Sequence, residues 1–250
     1  MVKRIGWARA ASIAMTVGAG CLAALPSGPA QAQIDSNARR AAIDARVARL
    51  ESIKAIERLQ NAYGYYQDRF FFAEVETLFA RRGASVQWGD QLWIGPKAVR
   101  SFWLDYWQPV IAGGSAGPVA GKLLDLPQWQ GVITIGADGR TATGRFNTIG
   151  RYAVYREKEY WISGFFQNRY VQEDGVWKIA ALKFCPNWSA KYTDGWQDVT
   201  TADALAWLPA APRKASPTRA ATTSERCPKP FPANGAMPLD FADPLVGDQK

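Results

Sequence analysis

The chain has 250 residues, with 30 Lys and Arg against 22 Asp and Glu for a formal charge of +8, and it is rich in rings, with 11 Trp, 9 Tyr and 11 Phe. It contains no histidine, which excludes an imidazole general base, a histidine-ligated zinc and every Ser-His or Cys-His nucleophile. Its basic residues are scattered rather than clustered, so they predict a solvated basic surface and no nucleic-acid partner.

Residues 1–32 read as a signal peptide. Lys3, Arg4 and Arg9 form a basic start, Ala10 to Leu25 is apolar but too short and too rich in Gly and Ala for a membrane span, and Ala30-Gln31-Ala32 is a small-x-small cleavage site. Cys21 offers a lipoprotein as the alternative. Against it stand Gly18-Ala19-Gly20, which lack the usual Leu, and an apolar run that continues past the cysteine. Loss of the leader lowers the formal charge from +8 to about +5. The expected location is periplasmic or secreted, with no stable membrane insertion. The mature chain keeps Cys185 and Cys227. In an oxidising compartment they predict one disulfide stapling the C-terminal tail to the end of the last strand; two unrelated thiols are the other reading.

Residues 33–49 form an Ala/Arg-rich, helix-compatible lead-in. Leu50 to Asp68 is an amphipathic helix: Ile53, Ile56, Leu59, Tyr63 and Tyr66 recur at steps of three and four, while Glu51, Lys54, Glu57, Arg58 and Gln60 fall mostly on the wet side. Phe70 to Ala80 predicts a second short helix, stopped by Arg81-Arg82-Gly83. Ala84 to Trp88 and Leu92 to Ile94 read as a hairpin across Gly89-Asp90. Pro96 to Trp107 reads as a third helix with Pro in its first turn, and 111–121 as a Gly/Ala/Pro-rich loop and possible lid.

The rest of the domain is β. Lys122 to Ile135 is one strand, bent or bulged at Pro127 and Gly131. Thr141 to Tyr155, Tyr160 to Glu173 and Val176 to Trp188 follow, joined by turns that include Asp138-Gly139 and Asp174-Gly175. From residue 200 to 250 the composition turns to Ala, Pro, Ser and Thr, predicting an irregular tail that wraps the domain or is partly disordered. Helices followed by a run of strands predict, over 50–199, an α+β domain: a cone-shaped, curved antiparallel sheet packed with the N-terminal helices around a deep pocket.

This order of elements, together with IKAIERLQNAYGYYQD, EVETLFA, WIGPKAVRSFW, ADGRTATGRF and FFQNRYVQEDGVWKIAALKF, resembles the SnoaL-like branch of the nuclear-transport-factor-2-like superfamily. The resemblance spans about Ile53 to Trp196. It implies a cone-shaped α+β barrel, chemistry that needs no cofactor, and a homodimer or homotrimer. AYGYY, EDGVWKI and the late Tyr192 to Trp196 look most like the sphingomonad-type lyases that release formaldehyde from lignin-derived diarylpropanes and phenylcoumarans. In dehydratases of the superfamily a Tyr and, five residues on, an Asp lie at the end of the first helix; Tyr63 and Asp68 meet that spacing here. The chain departs from the pattern by lacking the partner histidine, whose place on the first long strand falls near Leu126.

The candidate catalytic residues are therefore Asp68, Tyr63 and Tyr66. Burial of Asp68 among apolar walls would raise its pKa toward a general base's range, and a neighbouring tyrosine would donate to a departing hydroxyl. Trp88, Trp103, Trp107, Phe146 and Phe166, with Trp93, Trp129 and Trp161, are candidate ring walls for a small hydrophobic aromatic substrate; Lys122, Arg145 and Asn168 are candidate polar contacts. Alternation puts Arg145 and Asn147 on one face of their strand, and Ser163, Phe165, Gln167 and Arg169 opposite Gly164, Phe166, Asn168 and Tyr170. Either face is open to be the inner one. No cofactor and no metal are expected, since the acids show no ligand-like clustering. The bland alternative makes the tyrosines ordinary packers, most of the rings core, and Asp68 a solvated helix end. At the level of function, a lyase eliminating formaldehyde or water from an aromatic alcohol stands beside a non-catalytic periplasmic binder of an aromatic ligand and a dehydratase or ketosteroid-type isomerase.

Overall fold

The computed structural model describes residues 29–236. Most of the expected leader (1–28) and the last fourteen residues of the tail (237–250) lie outside the described residues. The chain divides into two units, 1–44 and 45–250. In the first, the described residues belong to the start of a helix, α1 (Pro29–Asp68), which continues through the lead-in without a break. Everything below concerns the second unit.

The expected stripe of α1 is the buried one, but it carries two amides. Ile56 and Tyr63 are fully buried, and so are Gln60 and Gln67. Gln60 is therefore not on the wet face. The steps 56, 60, 63 and 67 follow one helical line more closely than 53, 56, 59, 63 and 66 does, so both glutamines turn toward the sheet.

Helix α2 (Phe72–Thr77) is shorter than expected at both ends. Phe70 takes a left-handed conformation (φ 62°) that interrupts the helical path. At the other end Phe79 bridges Ile179 in parallel and Ala80 N–H donates to Ile179 O, which draws the chain onto the sheet. The hairpin β1 (Ser85–Trp88) and β2 (Gln91–Ile94) forms as read. The third helix is composite: α3 (Pro96–Ser101), a π-helical turn (Phe102–Trp107) and α4 (Gln108–Ile111). Its wider middle turn buries Phe102, Trp103, Tyr106 and Trp107 together.

The strand expected over 122–135 is two, β3 (Lys122–Asp125) and β4 (Gln128–Ile135), both paired with β5 (Thr141–Val154). The break falls at Leu126-Pro127, where proline has no N–H for a ladder. A bulge follows between Trp129 and Val132, with Gln130 at φ 53°. Long strands β6 (Lys158–Glu173) and β7 (Val176–Lys191) complete the meander. β1 then joins β7 in parallel, so the sheet order is β3-β5-β6-β7-β1-β2, with β4 beside β5 and a two-residue strand, β8 (Arg219–Ala220), beyond β2. The sheet is curved and unclosed, and α1 lies on its inner face through the contacts described below. This is the mixed α+β cone expected from the order of elements.

The tail is less irregular than its composition implies. Two 3-10 turns (Thr201–Leu205, Arg213–Ala215) and β8 (Arg219–Ala220) lead it back across the hairpin. Trp207 is buried against Trp88, Trp107 and Tyr152. Trp93 Nε1 donates to Ala215 O at 2.9 Å, and Tyr106 OH to Pro209 O at 2.6 Å. The Cys185–Cys227 disulfide is present, although Cys185 sits within β7 rather than at its end.

Candidate active site

Strand pairing decides which face looks inward. Phe146 pairs with Phe166, Gly144 with Asn168, and Ala142 with Tyr170. Asn168 Nδ2 donates to Gln60 Oε1 at 3.0 Å, Tyr170 OH donates to the same oxygen at 2.6 Å, and Gln60 Nε2 donates to Gln128 Oε1. The set Gly164, Phe166, Asn168, Tyr170 is thus the inner one. These buried amides and the phenol pin α1 to β6 and β4, and burial raises the Tyr170 pKa so that its hydroxyl stays a donor.

One helical turn further on, Tyr63 packs edge-on against Trp103 and Phe166, with ring centroids 6.0 and 5.9 Å apart. Beyond it the rings are continuous: Phe72 stacks on Trp103, Trp103 meets Trp107, Trp107 meets Trp88, and Trp88 stacks on Phe184 at 4.3 Å. The cluster is poor in acceptors. Tyr63 OH, the indole Nε1 atoms of Trp88, Trp103, Trp107 and Trp207, and both polar atoms of the Gln67 amide are buried without a partner among the described residues.

Asp68 ends α1 beside this cluster, half-buried. Leu126 N–H donates to its Oδ1 at 3.0 Å. That amide is free to do so because the ladder stops at Pro127. The approach depends on Gly150 of β5, where a Cβ would lie 2.1 Å from Asp125 O and 2.9 Å from Leu126 Cα. Burial pushes the Asp68 pKa from 3.8 up to about 6; the Leu126 amide holds it down, the Asp125 charge pushes it up and Arg69 pulls it back. Asp125 is itself paired to Arg151. Burial, then the Asp68 charge, then Tyr170 push Tyr63 well above its ordinary range, so its hydroxyl stays protonated. The pair presents an acceptor that ionises near neutrality and a donor that does not: the complement needed for acid/base elimination.

The structure brings together Asp68, Tyr63, Trp103, Phe166 and, through Gln60, Asn168. Tyr66 is half-buried against the core on the same stripe. Trp88, Trp93 and Trp107 lie deeper in the ring cluster, and Phe146 is buried on the inner face. Two polar candidates are not brought to this group. Arg145 stands on the outer face, its guanidinium 4.6 Å from the Phe165 ring centroid, because the alternation that turns Phe146 inward turns its neighbour out. Lys122 Nζ donates to Ile111 O at 3.0 Å and ties β3 to α4. Trp129 is exposed on the outer side. Gln60, Gln67, Gln128 and Tyr170 are members the sequence reading missed. Polar residues at 60 and 67 on an otherwise apolar helical line were the available signal. Among the described residues no cluster of three or more His, Cys, Asp or Glu side chains could hold a metal. Two clefts, about 730 and 600 Å³, lie on the outer sheet face and beneath the tail; Asp68 lines neither.

Residues 48–183 match the family model described as a SnoaL-like domain. No curated protein matches the chain. Among solved structures, a type 2 hexachlorocyclohexane dehydrochlorinase (LinA) superimposes with a TM-score of 0.50 at 16% identity, covering 60% of this chain and 95% of that one. A LinA-type3 hexachlorocyclohexane dehydrochlorinase from Novosphingobium barchaimii LL02 gives 0.50 at 15% identity, covering 60% and 96%. A protein provisionally assigned as a scytalone dehydratase, from Novosphingobium aromaticivorans DSM 12444, gives 0.49 at 17% identity, covering 59% and 91%. At these identities the likeness concerns the fold.

Proposed function

The chain belongs to the SnoaL-like domain family, and from that premise we propose that it is a cofactor-independent lyase acting on a hydrophobic aromatic alcohol. The observation that carries the reading is the pairing at the end of α1: Asp68 raised to about 6 beside Tyr63, whose buried hydroxyl has no partner among the described residues. In the proposed step, Asp68 takes the proton of a primary hydroxyl on the substrate. The oxygen electrons form the carbonyl of formaldehyde, the carbon–carbon bond breaks, and its pair forms a double bond between the two aryl-bearing carbons. The leaving oxygen on the next carbon departs with a proton donated by Tyr63, and Asp68 returns its proton to Tyr63 through solvent. The products are a stilbene, formaldehyde and water or a phenol. No electron acceptor is needed. Loss of water alone, with Asp68 taking a carbon-bound proton, is the dehydratase form of the same machinery.

Diaryl dimers bearing a γ-hydroxymethyl group test the reading directly. Stilbene absorbance rising in step with formaldehyde is the expected result; unchanged turnover by Asp68→Asn would contradict it. A second reading, a non-catalytic binder of an aromatic ligand, is favoured by the absence of histidine from the whole sequence. It predicts a ligand that raises the melting temperature while no product forms.

The setting we propose is extracytoplasmic. The Cys185–Cys227 disulfide suits an oxidising compartment, and no helix among the described residues is long and apolar enough to cross a membrane. We also propose a homodimer or homotrimer formed through the outer sheet face, where Trp129 and Ile149 are about half exposed. Light scattering on the purified protein reads this out: a monomer at micromolar concentration rules it out.

A further inference from the structure

The cleft beneath the tail belongs to none of this chemistry. Its volume, about 600 Å³, falls within the range of small-molecule sites. Its lining includes the edges of the buried Trp88 and Trp93 of the hairpin and the half-buried Leu205 and Leu208 of the tail. At the rim stand two exposed cations, Arg226 and Lys229, with no ion pair to a described residue. Of the nearby acids, Asp90 itself lines the cleft and Glu225 is paired to a cation. Asp90 Oδ1 accepts from Cys227 N at 3.1 Å. Glu225 is held in a two-pronged pair by Arg219, at 2.6 and 2.7 Å, and accepts from Thr222 N. The rim is fastened in place by the disulfide at Cys227, by the Asp90 contact, and by Gln87 and Lys183, which both donate to Glu225 O.

We infer that this cleft binds a small aromatic carboxylate, its ring against Leu205 and Leu208 and its carboxylate at Arg226 and Lys229. An apolar ring suits the leucine part of that lining. Two rim cations against the single carboxylate of Asp90 favour an anion, and a carboxylate offers the acceptors that guanidinium and ammonium require. Cationic ligands are disfavoured by the same two charges. The inference does not depend on the lyase reading, since Asp68 and Tyr63 do not line the cleft.

2-Naphthoate is a suitable probe, titrated into the whole protein while tryptophan fluorescence and heat are recorded, with 2-naphthamide as its neutral counterpart. Saturable binding is expected, weaker for the amide. Arg226→Ala combined with Lys229→Ala, both at exposed positions, is expected to weaken the naphthoate about tenfold and to leave the amide unchanged. Leu205→Trp, which fills the slot, is expected to remove binding of both. Asp68→Asn is expected to leave both affinities as they were. Equal affinity for the two probes, indifference to the double variant, or dependence on Asp68 would each overturn the inference, as would no binding at millimolar probe.

Discussion

Leu126 N–H donates to Asp68 Oδ1 at 3.0 Å, across the point where β3 ends and β4 has not begun. The residue that stands near the missing histidine thus meets the acid with its backbone rather than its side chain. A backbone amide can orient a carboxylate, but it cannot shuttle a proton. On the proposed reading, proton traffic is therefore left to Asp68 and Tyr63. Under the lyase reading, Asp68→Asn should lower kcat by about a hundredfold or more. The wild-type rate should climb as pH rises through about 6, where the base ionises, and level off above it. Formaldehyde release followed from pH 4.5 to 8.5 provides the check, and the variant should lack that limb.

Asp68 also makes stability depend on pH, with a sign opposite to that of a salt-bridged acid. Its folded pKa is raised from 3.8 to about 6. Between those values the folded state holds more protons than the unfolded one, so stability falls as pH rises through the window. The contribution is complete below about 3.8 and gone above about 6. Allowing for partial exposure, it amounts to no more than about 2 kcal/mol. Thermal unfolding at pH 4 and pH 8 should therefore show Asp68→Asn gaining on the wild type at the higher pH only.

Tyr63→Phe separates a working hydroxyl from a merely buried one. The hydroxyl has no partner among the described residues, so its removal should leave stability unchanged or raise it by up to about 1 kcal/mol. If Tyr63 is the proton donor, kcat should nonetheless fall by about a hundredfold with little change in KM. Steady-state kinetics beside a melting curve distinguish the two.

Gly150→Ala acts at a distance. The new methyl would collide with Asp125 O and Leu126 Cα, pushing away the backbone that holds Asp68. A cost of about 1–3 kcal/mol is expected. Activity should drop in the fraction that remains folded, with the acid limb of the pH profile displaced.

Gln60→Leu removes the shared partner of Asn168, Tyr170 and Gln128. Two buried polar groups and one half-buried one would lose a hydrogen bond at once. Destabilisation of about 2–4 kcal/mol is expected from urea unfolding. A double change with Tyr170→Phe should cost less than the sum of the two single ones.

Much of this molecule is written locally. The 3.6-residue rhythm of α1, the Asp-Gly turns and the alternation in β5, β6 and β7 set the elements and their order, because each depends on neighbours in the chain. Tyr63 and Asp68 could be singled out for the same reason: both end one helix. The paired cysteines were legible from number alone. What local pattern could not say was which side of a strand would meet α1. Alternation offers two equivalent faces, and only the docking of Gln60 onto Asn168 and Tyr170 chose between them, turning Phe166 in and Arg145 out. Gln60 looked like a surface residue because an amide is usually solvated, and it became core only through partners from β4 and β6. The tail followed the same logic. A composition of Ala, Pro, Ser and Thr carries no strong propensity, so its path over the hairpin was decided by Trp207 and the disulfide finding their places in a core built by distant parts of the chain.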